Sequence, residues 1–186
     1  MPPPLTFAAL ALAALGLWLL PLLRMRNRNR SKTLQTIDRR ARFGVILEGI
    51  GYSMLWLSGS WSRHLPTWQW ALGLALLITA VTISFLAAAA LGDLLRIDAS
   101  LSTNHRLIRS GPYRFVRHPV YFSFLCLIVG TGVLLAPLWL AAAGTLVFLC
   151  GTEIRVRVED ALLAAHFGTE FDEYRRSVAA YLPVIR

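Results

Sequence analysis

Apolar residues in this chain of 186 residues are gathered into long blocks with few charges, separated by short polar segments. A block of roughly 17–25 residues can cross the hydrocarbon core of a bilayer as a helix. The pattern predicts five transmembrane helices, over residues 5–23, 43–61, 68–92, 120–136 and 137–152. The predicted fold class is therefore all-α, a polytopic membrane protein with a single domain in which residues 1–92 hold the first three spans.

Proline and glycine mark several boundaries of this pattern. Pro119 suits the first turn of the fourth helix, because its missing N–H is no loss there. Ala136-Pro137 joins the last two spans directly, which predicts a tight helical hairpin. Gly168 is predicted to end the first helix of the polar C-terminal stretch. Residues 1–4 contain no basic region, so we expect the first span to stay as an anchor instead of being cleaved as a signal peptide.

Composition and charge support a membrane protein. Hydrophobic residues make up 56% of the chain, and the mean hydropathy is +0.56. The net charge of +9 would by itself suggest nucleic acid. However, of the 19 Lys and Arg residues, eight lie in 24–42, five in 93–119, five in 155–186 and one in 62–67. Five spans place the first three segments on one side, which the positive-inside rule makes cytosolic, with the N-terminus outside and the C-terminus inside. The membrane topology then explains the basic charge, and no nucleic acid partner is predicted. Segment 24–42 also suits contact with anionic lipid headgroups.

Reactive residues inside the apolar blocks are few. Cys126 and Cys150 are both expected to be small buried apolar residues, and no CxxC pair or metal-ligand spacing is present. Neither a disulfide framework nor a metal site is predicted. Glu48 is the charged residue of the second block. A charge within a span is a candidate for a functional site, although Glu48 is also close enough to the basic flank to reach the headgroups.

The polar connection 93–119 leads into the candidate site. Its last part, continuing to residue 121, contains two Pro-containing pairs, at 111–112 and 118–119, which predict a turn-rich segment. The hairpin that follows brings the chain back to the same side of the membrane. Residues 105–121 are therefore expected to lie beside the start of the C-terminal polar stretch at residues 155–160.

Arg155 and Glu159 are four residues apart in that stretch, so they share one face of a helix. Alone, the pair also fits an ordinary surface ion pair, which contributes little to stability. Arg114, Arg117 and His118 likewise fit side chains that extend from the apolar region to the interface. The sequence pattern leaves both interpretations open.

Two runs resemble the signature of the isoprenylcysteine carboxyl methyltransferase family. The first is Gly-Pro-Tyr-Arg-Phe-Val-Arg-His-Pro-Val-Tyr at residues 111–121. The second is Arg-Val-Arg-Val-Glu-Asp-Ala-Leu-Leu at residues 155–163, followed by His166-Phe167-Gly168, Glu170 and Tyr174. The resemblance begins at about residue 91, and the first 90 residues match only in being hydrophobic. Two motifs in order, on either side of a helical hairpin, are a more specific signal than either one alone.

The resemblance implies an integral membrane methyltransferase that uses S-adenosyl-L-methionine, with residues 93–186 as its catalytic half. It also implies the absence of a Rossmann domain, and no G-x-G-x-x-G follows a strand here. By position, Arg155 and Glu159 would be the catalytic residues, with Arg155 binding the substrate. The cofactor pocket would be formed by His105, Arg106, Leu107, Ile108, Tyr113, His118, Pro119, Val120, Tyr121 and Glu159.

The implied acceptor is the carboxylate of an isoprenylcysteine-type lipid that enters from the bilayer. A carboxylate nucleophile needs no general base, so the enzyme contributes mainly positioning and the exclusion of water. The guanidinium of Arg155 can orient a carboxylate, and Glu159 can pair with a cationic part of the cofactor. Tyr113 or Tyr121 can lie against adenine or the sulfonium. Ser123 stands where the family commonly has Gly, which is expected to narrow a helix contact.

Three other functions fit parts of the pattern. A phospholipid amine or a small thiol could replace the carboxylate as acceptor, and an amine would need a base such as His118 or Glu159. Membrane sterol-type reductases, which use NADPH, have a similar C-terminal hairpin, but the Arg-x-Arg-x-Glu-Asp run at 155–160 favours the methyltransferase. A non-catalytic membrane scaffold would bind no cofactor and would be indifferent to Arg155→Ala. The sequence leaves the choice between a monomer and a homo-oligomer open.

Overall fold

The computed structural model describes residues 4–28, 34–37, 40–58, 64–92, 100–102 and 107–182 of the chain. Within these ranges the protein is built mainly from helices, as predicted. They are α1 (Pro4–Arg28), α2 (Ala41–Trp56), α3 (Thr67–Leu91), α4 (Pro119–Leu135), α5 (Leu138–Phe167) and α6 (Thr169–Ser177). A short 3-10 helix, Gly111–Arg114, lies just before α4.

Three stretches in the described part of the chain are long and apolar enough to cross a membrane. They are Leu5–Arg24 within α1, the whole of α3 and the whole of α5. Helix α4 is apolar but has only 17 residues, and α2 has 16. Large apolar side chains on the outside of the bundle are exposed, among them Leu12, Ile46, Ile78 and Leu146. An outer surface of this kind suits lipid and not water, so the chain is a membrane protein.

A short antiparallel ribbon, which the sequence did not predict, joins two connections of the bundle. Strand β1 (Leu34–Ile37) pairs with strand β2 (Ser100–Ser102), with Ile37 opposite Ser100. Strands of three and four residues are too short to show a clear alternation of apolar and polar positions. The ribbon places the connection from α1 to α2 and the segment after α3 at the same end of the bundle.

The predicted hairpin at Ala136-Pro137 is confirmed, because α4 ends at Leu135 and α5 begins at Leu138. Helix α5 continues without a break for 30 residues, and ends at Gly168, which has a φ of +55°. At about 1.5 Å per residue it is longer than a bilayer core. Cys126 on α4 is buried as predicted, whereas the expectation that Cys150 is buried was wrong: it is exposed on α5.

Glycines allow α2 and α5 to pack with their backbones in close contact. A Cβ added to Gly44 would lie 2.6 Å from the carbonyl oxygen of Gly151, and one added to Gly51 would lie 2.5 Å from that of Gly144. The glycines are seven residues apart in both helices, which puts each pair on one helix face. This contact brings the polar residues of α2 next to the charged end of α5.

Ser123 takes part in a buried hydrogen-bond chain that ties three helices together. The indole Nε1 of Trp18 on α1 donates to Ser123 Oγ over 2.8 Å, and Ser84 on α3 donates to the Trp18 carbonyl over 2.9 Å. Ser84 and Ser123 are completely buried. The serine therefore fixes α1 against α4, and satisfies the indole N–H in a region where water is scarce.

Candidate active site

The loop that precedes α4 is fixed by α6 and by the C-terminal tail that follows it, residues 178–182. The backbone N–H of Arg117 donates to the Ala179 carbonyl over 2.8 Å, and that of His118 donates to the Ala180 carbonyl over 2.9 Å. The hydroxyl of Tyr174 on α6 donates to the Tyr113 carbonyl over 2.5 Å. Since these contacts link residues about 60 positions apart, the loop is held by tertiary structure and not by local propensity.

His118 lies between the two adjacent acids of α5. Its Nε2 is 2.8 Å from Asp160 Oδ1, its Nδ1 is 3.4 Å from Glu159 Oε2, and its side chain is buried. Burial opposes protonation, but the hydrogen bonds and negative charges of Asp160 and Glu159 outweigh it and raise the pKa of His118 to about 9. The imidazole is therefore protonated at neutral pH, and joins the loop to α5 as a cation.

Arg117 supplies the second cation of this junction. Its Nη2 is 2.9 Å from Asp160 Oδ2, and its Nη1 donates to the carbonyls of Arg175 and Val178. One guanidinium thus contacts α5, the end of α6 and the tail. A planar fork of donors is suited to joining several acceptors in this way. Asp160 and Arg117 hold the site together, while Glu159 remains more accessible.

Glu159 is surrounded by donors on its other side. The Tyr121 hydroxyl on α4 donates to Glu159 Oε1, and Arg155 Nη2 lies 4.0 Å from the same oxygen. The guanidinium carbon of Arg155 lies 4.9 Å from the centre of the Tyr121 ring, which is a cation–π distance. Arg155, Glu159 and Tyr121 therefore form one compact group at the junction of α4 and α5.

Glu48 extends this group to α2. Its Oε2 accepts from Arg155 Nη1 over 2.8 Å, and its Oε1 accepts from the Thr152 hydroxyl over 3.1 Å. Glu48 is only 2% exposed, so it does not reach the headgroups as the sequence had allowed. A charge buried to this extent is tolerated because both of its oxygens have partners.

The structure brings most of the predicted site residues into one region. Glu159 contacts His118, Tyr121 and Arg155, and Arg155 also lies against the Tyr121 ring. Pro119 is fully buried at the start of α4, Tyr113 is buried beneath α6, and Val120, Leu107 and Ile108 are half-buried. His105 and Arg106, also predicted for the cofactor pocket, lie outside the described residues.

Arg117 and Asp160 were not among the residues assigned to the site, and Glu48 was a candidate with no assigned role. Arg117 and Asp160 each adjoin a predicted residue in sequence, which was the available signal. Glu48 was marked by its charge within an apolar block, and a second signal indicates its neighbours: it lies between Gly44 and Gly51, whose seven-residue spacing recurs in α5. Matched glycine spacing in two apolar helices indicates a close contact between them.

The acids of the group fit a ligand that carries positive charge, as S-adenosylmethionine does. The side chain of Glu159 is 24% exposed, compared with 14% for Asp160 and 3% for Glu48. Glu159 is thus the acid of this group that a ligand can reach most easily. The Tyr121 ring beside it offers a π face to a cation. The residues present therefore suit the cationic parts of this cofactor.

Protonation of His118 leads to a pH prediction for stability. An unfolded histidine has a pKa near 6.5, so His118 stabilises the fold fully below about pH 6.5 and loses this effect as the pH rises through about 9. We expect the midpoint of thermal unfolding in detergent to fall between about pH 6.5 and 9.5, and His118→Gln to flatten this dependence. His166→Gln, at the exposed end of α5, is the control and should retain it. Identical pH profiles for His118→Gln and the unaltered chain would contradict the assignment.

The fold and the site define a class of protein: a helical membrane protein with a cluster of buried charges where the α4–α5 hairpin closes. Comparison with known proteins gives the family. The model of the isoprenylcysteine carboxyl methyltransferase (ICMT) family matches residues 71–165, slightly more than half of the chain. The chain belongs to this family, as the two motifs predicted.

Individual relatives differ in how much of the chain they cover. The cobalt-zinc-cadmium resistance protein CzcN of Cupriavidus metallidurans is 32% identical over 154 residues, which are 82% of this chain and 68% of that protein. A probable protein-S-isoprenylcysteine O-methyltransferase of Oryza sativa subsp. indica is 41% identical over 81 residues, 44% of this chain and 42% of that protein. The protein-S-isoprenylcysteine O-methyltransferase of Schizosaccharomyces pombe is 30% identical over 89 residues, 48% and 38% of the two chains. The chain thus spans less than half the length of the named methyltransferases.

Proposed function

We propose that this chain is an S-adenosylmethionine-dependent methyltransferase that methylates the carboxylate of an isoprenylcysteine-type lipid in the membrane. The observation that carries the proposal is the pairing of Arg155 with Glu159 on one face of α5. One side chain suits an anionic acceptor, and the other suits a cationic donor. Membership of the family and the named methyltransferases among its relatives support the same activity.

The chemistry follows from the charges of the two ligands. When bound, the cofactor would supply an electrophilic methyl group on a sulfonium, whose sulfur would leave with the electron pair of the C–S bond. Arg155 would orient the acceptor carboxylate, whose oxygen forms the new C–O bond. Glu159 and the ring of Tyr121 would stabilise the cationic ligand until its charge is lost. No proton is transferred, so the chain has to position and desolvate its ligands but needs no general base.

The environment of His118 favours a carboxylate over an amine as the acceptor. An amine must lose a proton during methylation, so it would need a nearby base. His118 is protonated at neutral pH, with both ring nitrogens directed at acids, and Glu159 accepts hydrogen bonds from its neighbours. A carboxylate acceptor avoids this requirement.

We also propose that all five apolar helices cross the membrane, with the N-terminus outside and the site in the cytosol. Helices α2 and α4 are short for this role, but a bilayer adjusts its thickness locally at small cost. The distribution of basic residues supports the orientation. The ribbon of β1 and β2 supports it too, because it joins two of the connections that this topology puts on one side.

Calorimetric titration of the purified chain in detergent tests the proposed activity. We expect S-adenosylmethionine to bind and NADPH not to bind. Binding of NADPH without S-adenosylmethionine would contradict the proposal and favour a reductase. Binding of neither ligand would favour a non-catalytic role.

A further inference from the structure

We propose that Glu48 is a positioning residue for methyl transfer: it holds the Arg155 guanidinium in place to receive the acceptor carboxylate. The inference rests on the proposed function and extends the site to α2. In this role Glu48 contacts neither the acceptor nor the cofactor. It acts through the contact of its Oε2 with Arg155 Nη1, over 2.8 Å.

The Arg155 side chain is fixed by contacts in three directions. Glu48 binds one terminal nitrogen, the Tyr121 ring lies against the guanidinium, and Glu159 lies 4.0 Å from the other terminal nitrogen. Glu48 is itself fixed by the Thr152 hydroxyl. A long side chain held in this way has lost its rotamer freedom before the acceptor arrives. A preformed carboxylate site needs such a restraint.

Glu48 also competes with Glu159 for the same guanidinium. Arg155 and Glu159 are four residues apart on a helix, and such pairs close readily when nothing else holds them. Here Arg155 Nη2 stays 4.0 Å from Glu159, while its Nη1 lies 2.8 Å from Glu48. Loss of the Glu48 charge would let the guanidinium move toward Glu159 and away from the position proposed for binding the acceptor carboxylate.

The close packing of α2 and α5 makes the contact possible. A Cβ on Gly151 would lie 2.5 Å from the Gly44 carbonyl oxygen and 2.9 Å from the Glu48 nitrogen. A Cβ on Gly44 would lie 2.5 Å from Cγ of Arg155. With larger residues here, the backbone of α2 would move outward and withdraw Glu48 from Arg155. The glycines therefore allow the close approach of α2 and α5 on which the Glu48–Arg155 ion pair depends.

Glu48→Gln tests the inference, because it keeps the shape of the side chain and removes its charge. With a farnesylated cysteine analogue as acceptor, we expect the KM of the acceptor to rise about tenfold, since misplacement of an orienting group is costly. The control is Glu153→Gln, the same change in an exposed ion pair with Arg157 on α5, and it should leave the KM unchanged. Should Glu48→Gln fold poorly, Thr152→Val, which frees Glu48 Oε1, is expected to raise the KM in the same direction.

A double-mutant cycle separates positioning from general stability. In chains that already carry Arg155→Ala, we expect Glu48→Gln to cause no further loss of kcat/KM, since both act through one guanidinium. In that background it should raise the thermal midpoint, because it removes a buried carboxylate that has lost its cationic partner.

Each outcome of these measurements separates the two proposals. An unaltered chain that methylates no farnesylated cysteine would contradict the proposed function, and this inference with it. The inference alone would be overturned if the unaltered chain methylates the analogue but Glu48→Gln leaves the KM unchanged. It would also be overturned if the loss of kcat/KM caused by Glu48→Gln adds to the loss caused by Arg155→Ala.

Discussion

Methyl transfer is expected to fall by on the order of 100-fold or more when Arg155 is replaced by Ala or Glu159 by Gln. In the proposed mechanism, Arg155→Ala removes the donors for the acceptor carboxylate, and Glu159→Gln removes the negative charge beside the cationic donor. The first change should mainly raise the KM of the acceptor, whereas the second should weaken binding of S-adenosylmethionine in calorimetry. The two effects are separable because the proposed roles assign the residues to different ligands.

Matched control variants lie on the same helix. Arg157→Ala and Glu153→Gln remove the partners of an exposed ion pair with an N–O distance of 2.8 Å. Arg157→Ala changes the charge of α5 as Arg155→Ala does, and Glu153→Gln changes it as Glu159→Gln does. Both controls lie outside the buried group, so both should retain activity within about twofold. Equal losses in the control and site variants would show that net charge matters and that the proposed roles are wrong.

Gly44→Ala is expected to destabilise the chain by about 2–3 kcal/mol and to reduce methyl transfer at the same time. The added methyl group would lie 2.6 Å from the Gly151 carbonyl oxygen and 2.5 Å from Cγ of Arg155. The backbone atom cannot move without shifting α5, so the helices must separate. The unfolding midpoint in detergent and the KM of the acceptor measure the two effects.

Gly49→Ala provides the comparison in the same helix. A Cβ at Gly49 has no atom within 4 Å, because this residue lies on the exposed face of α2. Alanine is the better helix former, so this change should stabilise the chain by about 0.5–1 kcal/mol. If Gly44→Ala were no more harmful than Gly49→Ala, the close packing of α2 and α5 would not support the site.

Features that depend on local patterns could be predicted from the sequence. Long apolar blocks predicted the helices, and Pro137 and Gly168 marked helix boundaries. The predicted hairpin explains why His118 and Tyr121 lie beside Glu159 and Arg155. These signals act over a few residues, so they can be recognised in the sequence without knowledge of the fold. The two motifs at 111–121 and 155–163 led to the family for the same reason.

Contacts between distant segments could not be predicted in the same way. Glu48 and Arg155 are 107 residues apart, and no local pattern determines which buried charges face each other. The β1–β2 ribbon likewise depends on two short segments meeting across the bundle. The sequence suggested both a headgroup contact and a site role for Glu48, and the packing of α2 against α5 shows that it is buried beside Arg155.

The most direct test of the central claim is the fate of a radiolabelled methyl group. The chain in detergent would be incubated with methyl-labelled S-adenosylmethionine and a farnesylated cysteine analogue, and the lipid product treated with mild base. We expect label to enter the lipid and to be released as methanol, because a methyl ester hydrolyses under these conditions. Label that enters the lipid but resists base would indicate methylation at nitrogen or sulfur, and would contradict carboxyl methylation.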